Sequence, residues 1–338
     1  MKPSFFIFGI ERSGTTLLSA LLSTSPDTFV LNDSDIYKIF ADTYYNYNSN
    51  FFKQNYKKLR SILFNKVIKF PNAYLSIKKI QSFMGANQVV SAETDSIPRS
   101  SYEIDSTFIH NYLKNLKKRY SVPRKDGTLR FKNYLKSIKK LEISLKKNKD
   151  IDNAQNLLNV VFESLLPQNE LKKNIIKGEK SPLHLFYYDW IKNIYPYSKF
   201  IKIIRNPIGN ISSISKRRMS IEKAILDYRN HFNKLNSIKS KNSKNIILIR
   251  YEDLIRDPNT TLEQIFSFLD IKDTTYNINF NYYDRKQLIG TKIDPNRDKT
   301  SMYYLDKKER KFIKNEFSGI FNTYYKDFYD LYSLDVLK

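Results

Sequence analysis

The sequence predicts an α/β fold, a doubly wound parallel sheet flanked by helices with a largely helical insertion, on three observations. Short apolar runs recur at Phe5-Phe6-Ile7-Phe8, Phe200-Ile201-Lys202-Ile203-Ile204 and Ile246-Ile247-Leu248-Ile249. Each has the length of a strand and the near-continuous apolarity of a strand buried on both faces. Helical stripes separate the runs, as in Leu17, Leu18, Leu21 and Leu22, or Leu262, Ile265, Phe266 and Leu269. The first run passes through a glycine-bearing loop directly into a helix, and strands alternating with amphipathic helices imply a parallel sheet. With 338 residues, 41% of them hydrophobic, the chain can form one large domain over 1–338.

Taken in order, the first strand and helix are followed by Pro26, a short strand at Thr28-Phe29-Val30-Leu31 and a polar turn, Asn32-Asp33-Ser34-Asp35. Residues just past the carboxyl end of a parallel strand sit beside the ligand crevice, which makes Asp33 a candidate base. Asp33 or Ser34 could equally cap the helix expected from Ile36, Tyr37, Ile39 and Phe40. From 42 to 150 the style changes to Lys-, Tyr- and Asn-rich helical patterns, such as Phe131, Leu135, Ile138 and Leu141, with a strand candidate at Gln88-Val89-Val90-Ser91. This stretch reads as a helical insertion covering the crevice. A helix over 151–166 ends at Pro167, and Asn174-Ile175-Ile176-Lys177 reads as a strand ending in Gly178-Glu179-Lys180-Ser181-Pro182. Pro207 suits the first turn of the helix after Arg205-Asn206, and Pro258 opens another.

Lys and Arg number 58 against 34 Asp and Glu, a net charge of +24. Such an excess fits an anionic ligand, an acidic polymer or nucleic acid; the heavy use of Lys, Asn, Ile and Tyr fits a compositional origin as well. With no cysteine, disulfides, thiol nucleophiles and cysteine metal sites are excluded. No apolar stretch is long enough for a transmembrane helix, and with a strand expected from Phe5 no secretory signal is expected. A cytoplasmic enzyme is the simplest expectation.

The chemistry concentrates in the first loop. Gly9 and Gly14 are separated by four residues in Gly9-Ile10-Glu11-Arg12-Ser13-Gly14-Thr15-Thr16, the spacing of a P-loop-type phosphate cradle. Such a loop turns backbone N–H groups and a helix N-terminus toward an anion. A nucleotide triphosphatase needs Lys after the second glycine, where this chain has Thr15; its cation is inside the loop, as Arg12. A kinase-like Mg-nucleotide site is therefore unsupported.

The loop resembles the 5′-phosphosulfate loop of the sulfotransferases that use PAPS (3′-phosphoadenosine 5′-phosphosulfate), in their bacterial, carbohydrate and tyrosylprotein branches. Later segments extend the resemblance in the family's order. Glu179-Lys180-Ser181-Pro182-Leu183-His184-Leu185 resembles the catalytic-lysine segment, and Ile203-Ile204-Arg205-Asn206-Pro207 with Ser213 resembles the 3′-phosphate site. Arg250-Tyr251-Glu252-Asp253-Leu254 resembles the strand that follows, and Leu288-Ile289-Gly290-Thr291-Lys292 a late loop closing over the donor. The resemblance implies sulfuryl transfer from PAPS to a hydroxyl, leaving PAP, with no metal. It implies that Arg12, Ser13, Gly14, Thr15 and Thr16 hold the 5′-phosphate, Arg205 and Ser213 the 3′-phosphate, and Lys292 the closing loop. Arg12 and Lys180 would stabilise the leaving group, and Asp33 would stand where the tyrosylprotein branch has its catalytic Glu, one methylene shorter. Asp35 is a fallback base, Glu93 and Glu179 are remoter ones, and His184 reads as a packing histidine. The insertion then becomes an acceptor-binding cap, for a glycan or a tyrosine peptide. A degenerate fold that binds PAP without turnover, and a basic nucleic-acid-binding protein, are the other readings; no nucleic-acid module supports the second.

Overall fold

Gly178 stands in the middle of a strand where a side chain could not fit: a Cβ there would lie 2.3 Å from the Phe5 ring. The strand candidate at 174–177 therefore does not stop at this glycine. In a computed structural model, which describes residues 2–47, 104–121, 129–145, 151, 153–171, 174–216, 220–238, 244–272, 276–277, 282–284, 287–290, 293–294 and 304–327, it runs as β3, Ile176–Lys180. Glycine here marks close approach of an aromatic ring rather than a turn, and it carries Glu179 and Lys180 into the sheet.

The sheet joins β1 (Phe5–Gly9), β2 (Thr28–Asn32), β3, β4 (Lys199–Ile204) and β5 (Ile246–Arg250), all parallel, in the order β2-β3-β1-β4-β5. β1 is central and buried at all five positions, as its uninterrupted apolar run requires. The face carrying Phe5, Ile7, Ile201, Ile203 and Ile249 packs in one core with α1 (Thr15–Leu22) and α11 (Pro258–Phe268) through Leu18, Leu21, Leu262, Ile265 and Phe266. On the other face Phe6 stacks on Phe200, ring centroids 5.6 Å apart. Helices α8 (Pro207–Ser215), α9 (Ile221–Ser237) and α10 (Tyr251–Arg256) follow β4 and β5. Asn206 caps α8 by accepting from Gly209 N at 2.7 Å, and Pro207 fills the first turn. A short antiparallel pair, β6 (Tyr282–Asp284) and β7 (Gln287–Gly290), and helices α12 (Lys307–Glu316) and α13 (Ser318–Tyr324) come later in the chain. Leu288-Ile289-Gly290, the start of the segment expected to close over the donor, lies in β7; Thr291 and Lys292 lie outside the described residues.

The chain divides into two compact units. The sheet belongs to the unit formed by Pro3–Ser34, Gln168–Leu185 and Tyr197–Lys338. The other takes in Asp35–Pro167 and Phe186–Pro196, and its described elements are helical: α2 (Ile36–Tyr47), α3 (Ser106–Ser121), α4 (Leu129–Leu145), α5 (Ala154–Leu165) and most of α7 (His184–Ile194). The four-residue α6 (Gln168–Leu171) precedes β3. Within the helical unit Phe40 meets Phe108, Tyr112 and Trp190 at 4.9, 5.3 and 5.1 Å, so its aromatics form a core. The expected strand at 88–91, and Glu93 beyond it, lie outside the described residues. Among the described residues no helix is long and apolar enough to cross a membrane.

Candidate active site

The loop after β1 is shaped by its two glycines. A Cβ on Gly9 would lie 2.3 Å from the Ile203 carbonyl oxygen and 2.7 Å from Ser13 Oγ, so glycine lets the loop fold against β4. Gly14, with φ of 96°, is in the left-handed region, and a Cβ there would meet the Tyr251 ring at 2.4 Å. Arg12 shares that backbone region at φ 69°, a conformation that costs a non-glycine residue energy. Two donors hold the loop from outside: Asn210 Nδ2 reaches Glu11 O at 3.1 Å, and Arg205 Nη1 reaches Arg12 O at 3.2 Å. The first-turn N–H groups of α1 have no intrahelical acceptor and point to where an anion would sit. The Ser13 hydroxyl is buried and, among the described residues, has no protein partner. Loop, glycines and hydroxyl therefore fit a phosphate-bearing ligand.

A second cluster stands at the carboxyl ends of β2 and β3. Lys180 lies in register with Asn32 and Ile7, and Asp33 N continues the ladder by donating to Lys180 O at 2.7 Å. Lys180 Nζ then reaches both carboxylate oxygens of Asp33 at 2.9 Å and Thr16 Oγ1 of the loop helix at 3.2 Å. The ammonium is 1% exposed and the carboxylate 32%. The open member of this charge-assisted pair is the candidate base.

The third cluster joins β4, α8 and α10. Arg205, at the end of β4, lies over the Tyr251 ring at 4.4 Å, a cation–π contact, and its carbonyl accepts from Tyr228 OH at 3.0 Å. Ser213, on α8, accepts from Arg12 Nε at 3.2 Å. The loop arginine expected at the 5′-phosphate therefore touches the serine expected at the 3′-phosphate. Asn206 N and Nδ2 both donate to the buried Glu252 carboxylate, at 2.9 and 2.7 Å, bracing the turn that carries Arg205.

Of the residues expected from sequence, the structure brings together Asp33, Lys180 and Thr16, and separately Arg12, Ser213 and Arg205. Ser13, Gly14 and Thr15 form the bend and helix start between them. The fallback carboxylates are engaged elsewhere. Asp35 is buried and bound by Arg119 through Nε, at 2.6 Å, and Nη2. Glu179 is fully buried, accepts from Ser34 Oγ at 2.6 Å and meets His184 Nε2. Burial, opposed by the Asp33 charge and reinforced by that of Lys180, pushes His184 down to about 3, so the ring is neutral at neutral pH. Tyr251, Asn206, Asn210 and Glu252 received no role from the sequence. Only the position of Tyr251 just past the end of β5 pointed its way.

A family model described as the sulfotransferase family matches residues 3–275. No curated protein matches the chain. Among solved structures, the sulfotransferase domain of the Synechococcus olefin synthase is similar at 15% identity and a TM-score of 0.44, over 89% of this chain and 87% of its own. The sulfotransferase domain of the curacin biosynthetic pathway has 15% identity and a TM-score of 0.44, over 94% and 98%. A sulfotransferase from Alicyclobacillus acidocaldarius has 13% and 0.40, over 94% and 92%. On the family match, which spans the phosphate loop and all five strands of the sheet, this chain belongs to the sulfotransferase family.

Proposed function

We propose that this enzyme transfers the sulfuryl group of PAPS to a hydroxyl acceptor by in-line displacement. The observation that carries the reading is the position of Lys180 Nζ, in contact both with Asp33 and with Thr16 at the head of the loop helix. One cation thus stands between a candidate base and a phosphate cradle. In this reading the acceptor oxygen attacks sulfur, its proton passes to the Asp33 carboxylate, and the S–O bond to PAP breaks. Lys180, Arg12 and the N–H groups of α1 stabilise the negative charge that grows on the leaving oxygen. Arg205, whose guanidinium carbon lies 4.4 Å from the centre of the Tyr251 ring, and Ser213 hold the 3′-phosphate; a guanidinium fork suits a phosphate. The thread Arg12–Ser213 supports one continuous donor site with two phosphate ends.

The acceptor is proposed to be a glycan hydroxyl, on the basic charge of the chain, with the Lys- and Tyr-rich stretch 42–150 taking part in its selection. Labelled PAPS offered with a panel of glycans and tyrosine peptides tests both levels. Label is expected on glycans; label on peptides alone overturns the acceptor reading, and no label with either overturns transfer to these hydroxyl classes.

A further inference from the structure

Ser34, Glu179 and His184 form a buried polar network that this chemistry does not use. Ser34 Oγ donates to Glu179 Oε1 at 2.6 Å, and Glu179 Oε2 meets His184 Nε2. Ser34 and Glu179 are 0% exposed and His184 is 2%. The order of contacts excludes an activated nucleophile, because the serine proton goes to the carboxylate and not to the imidazole. Burying a carboxylate in a sheet core is costly unless hydrogen bonds hold it, so its location calls for a reason.

The reason lies in the neighbours. Ser34 follows Asp33, Glu179 precedes Lys180, and His184 is the first residue of the helix after Lys180-Ser181-Pro182-Leu183. Strand alternation sends Glu179 to the face opposite Lys180, where the Phe6 and His184 rings meet in a T-shaped contact, centroids 5.6 Å apart and planes at 88°. Asp33 sits at φ 46°, in the left-handed region that aspartate enters more readily than most non-glycine residues and at a modest cost. Its restraints lie on both sides: its own N–H donates to Lys180 O at 2.7 Å, and the next side chain is tied to Glu179. The β3 end is itself anchored by Ser181 N to Ile7 O at 3.2 Å and His184 N to Ser181 O at 3.1 Å.

We propose that Ser34, Glu179 and His184 are positioning residues: their network pins the turn bearing Asp33 to the strand bearing Lys180, and so sets the geometry of that pair from the opposite face of the sheet. The inference rests on Asp33 and Lys180 being the reacting pair. Ser34→Ala removes the hydroxyl without adding volume. It should lower kcat about tenfold to a hundredfold, the scale of a small misplacement of catalytic groups, while acceptor KM and the PAP Kd stay at their wild-type values. Glu179→Gln, which keeps a carbonyl acceptor for Ser34, should retain more kcat than Ser34→Ala. Should Ser34→Ala fail to fold, Ser34→Cys, similar in size and a weaker donor, must show the same split. A wild-type kcat in the serine variant, or a loss shared equally with PAP binding, overturns the positioning role. Asp33→Asn run beside it separates the two levels. If that variant turns over normally the underlying reading fails, whereas if it is inactive and Ser34→Ala is not, only the positioning role falls.

Discussion

Asp33 and Asp35 stand two residues apart, share the left-handed backbone region at φ 46° and 57°, and are both paired with a cation. Their settings differ in which partner is buried. At Asp33 the lysine is sealed at 1% exposure and the carboxylate is open at 32%. At Asp35 the carboxylate is sealed at 5% and the arginine is the more exposed member at 30%. Arg119 comes from the last turn of α3, where a cation also complements the helix dipole. Asp35 O accepts from Ile39 N at 2.9 Å and so begins α2. One aspartate is thus consumed in starting and anchoring a helix, while the other presents its oxygens beside the phosphate loop. Residue type and local conformation are the same at the two aspartates; what differs is which member of each ion pair is buried.

The comparison breaks most directly at its functional end. Asp33→Asn and Lys180→Ala should each lower kcat by about a hundredfold to ten-thousandfold, the usual worth of a positioned proton acceptor or transition-state charge. The PAP Kd should change little in Asp33→Asn, as isothermal calorimetry would show. A normal kcat in Asp33→Asn would return the base to another group.

At the structural end, Arg119→Leu leaves Asp35 as a buried charge without its guanidinium. It should destabilise the protein by about 3 kcal/mol or more in urea unfolding, with kcat per folded molecule unchanged. Loss of kcat at undiminished stability would mean that Asp35, not Asp33, serves the reaction.

The sheet was legible because strands buried on both faces leave continuous apolar runs, as at Phe5-Phe6-Ile7-Phe8 and the β4 and β5 segments. β3 runs past its expected end: Gly178 and the charged Glu179-Lys180 look like the end of a strand in sequence, while the Phe5 ring beside Gly178 accounts for the glycine within it. Lys180 and Asp33 were each identifiable from local motifs. Their mutual contact spans 147 positions of sequence and exists only because β2 pairs with β3 in parallel. The same holds for Arg12 on Ser213 and for Arg119 on Asp35, contacts made by the tertiary fold and invisible to spacing. Tyr251 has no assignment from sequence because its contacts, with Gly14 and with the Arg205 guanidinium, depend on neighbours from other strands.

A smaller effect sharpens the contrast with a cation that meets a backbone carbonyl. Lys202, on β4, donates to Ile238 O at 3.0 Å just past the end of α9, and burial lowers it from 10.5 to about 8. Between those values the unfolded chain holds more protons than the folded one, so this lysine makes stability rise with pH from about 8 to 10.5. Lys202→Met should flatten that part of the profile relative to wild type in urea titrations. An unchanged slope would mean that the folded and unfolded lysines titrate alike.

The central claim is that the loop and the Arg205–Ser213 cluster form one site for a nucleotide with phosphates at both ends. Thermal unfolding with PAP, 5′-AMP, or ATP with Mg²⁺ tests it most directly. At a hundred times its Kd a ligand adds about 2.7 kcal/mol, which for a chain of this size raises the midpoint by about 4 °C. The account predicts that shift with PAP and little with 5′-AMP at the same concentration. Stabilisation by ATP with Mg²⁺ and not by PAP would contradict it.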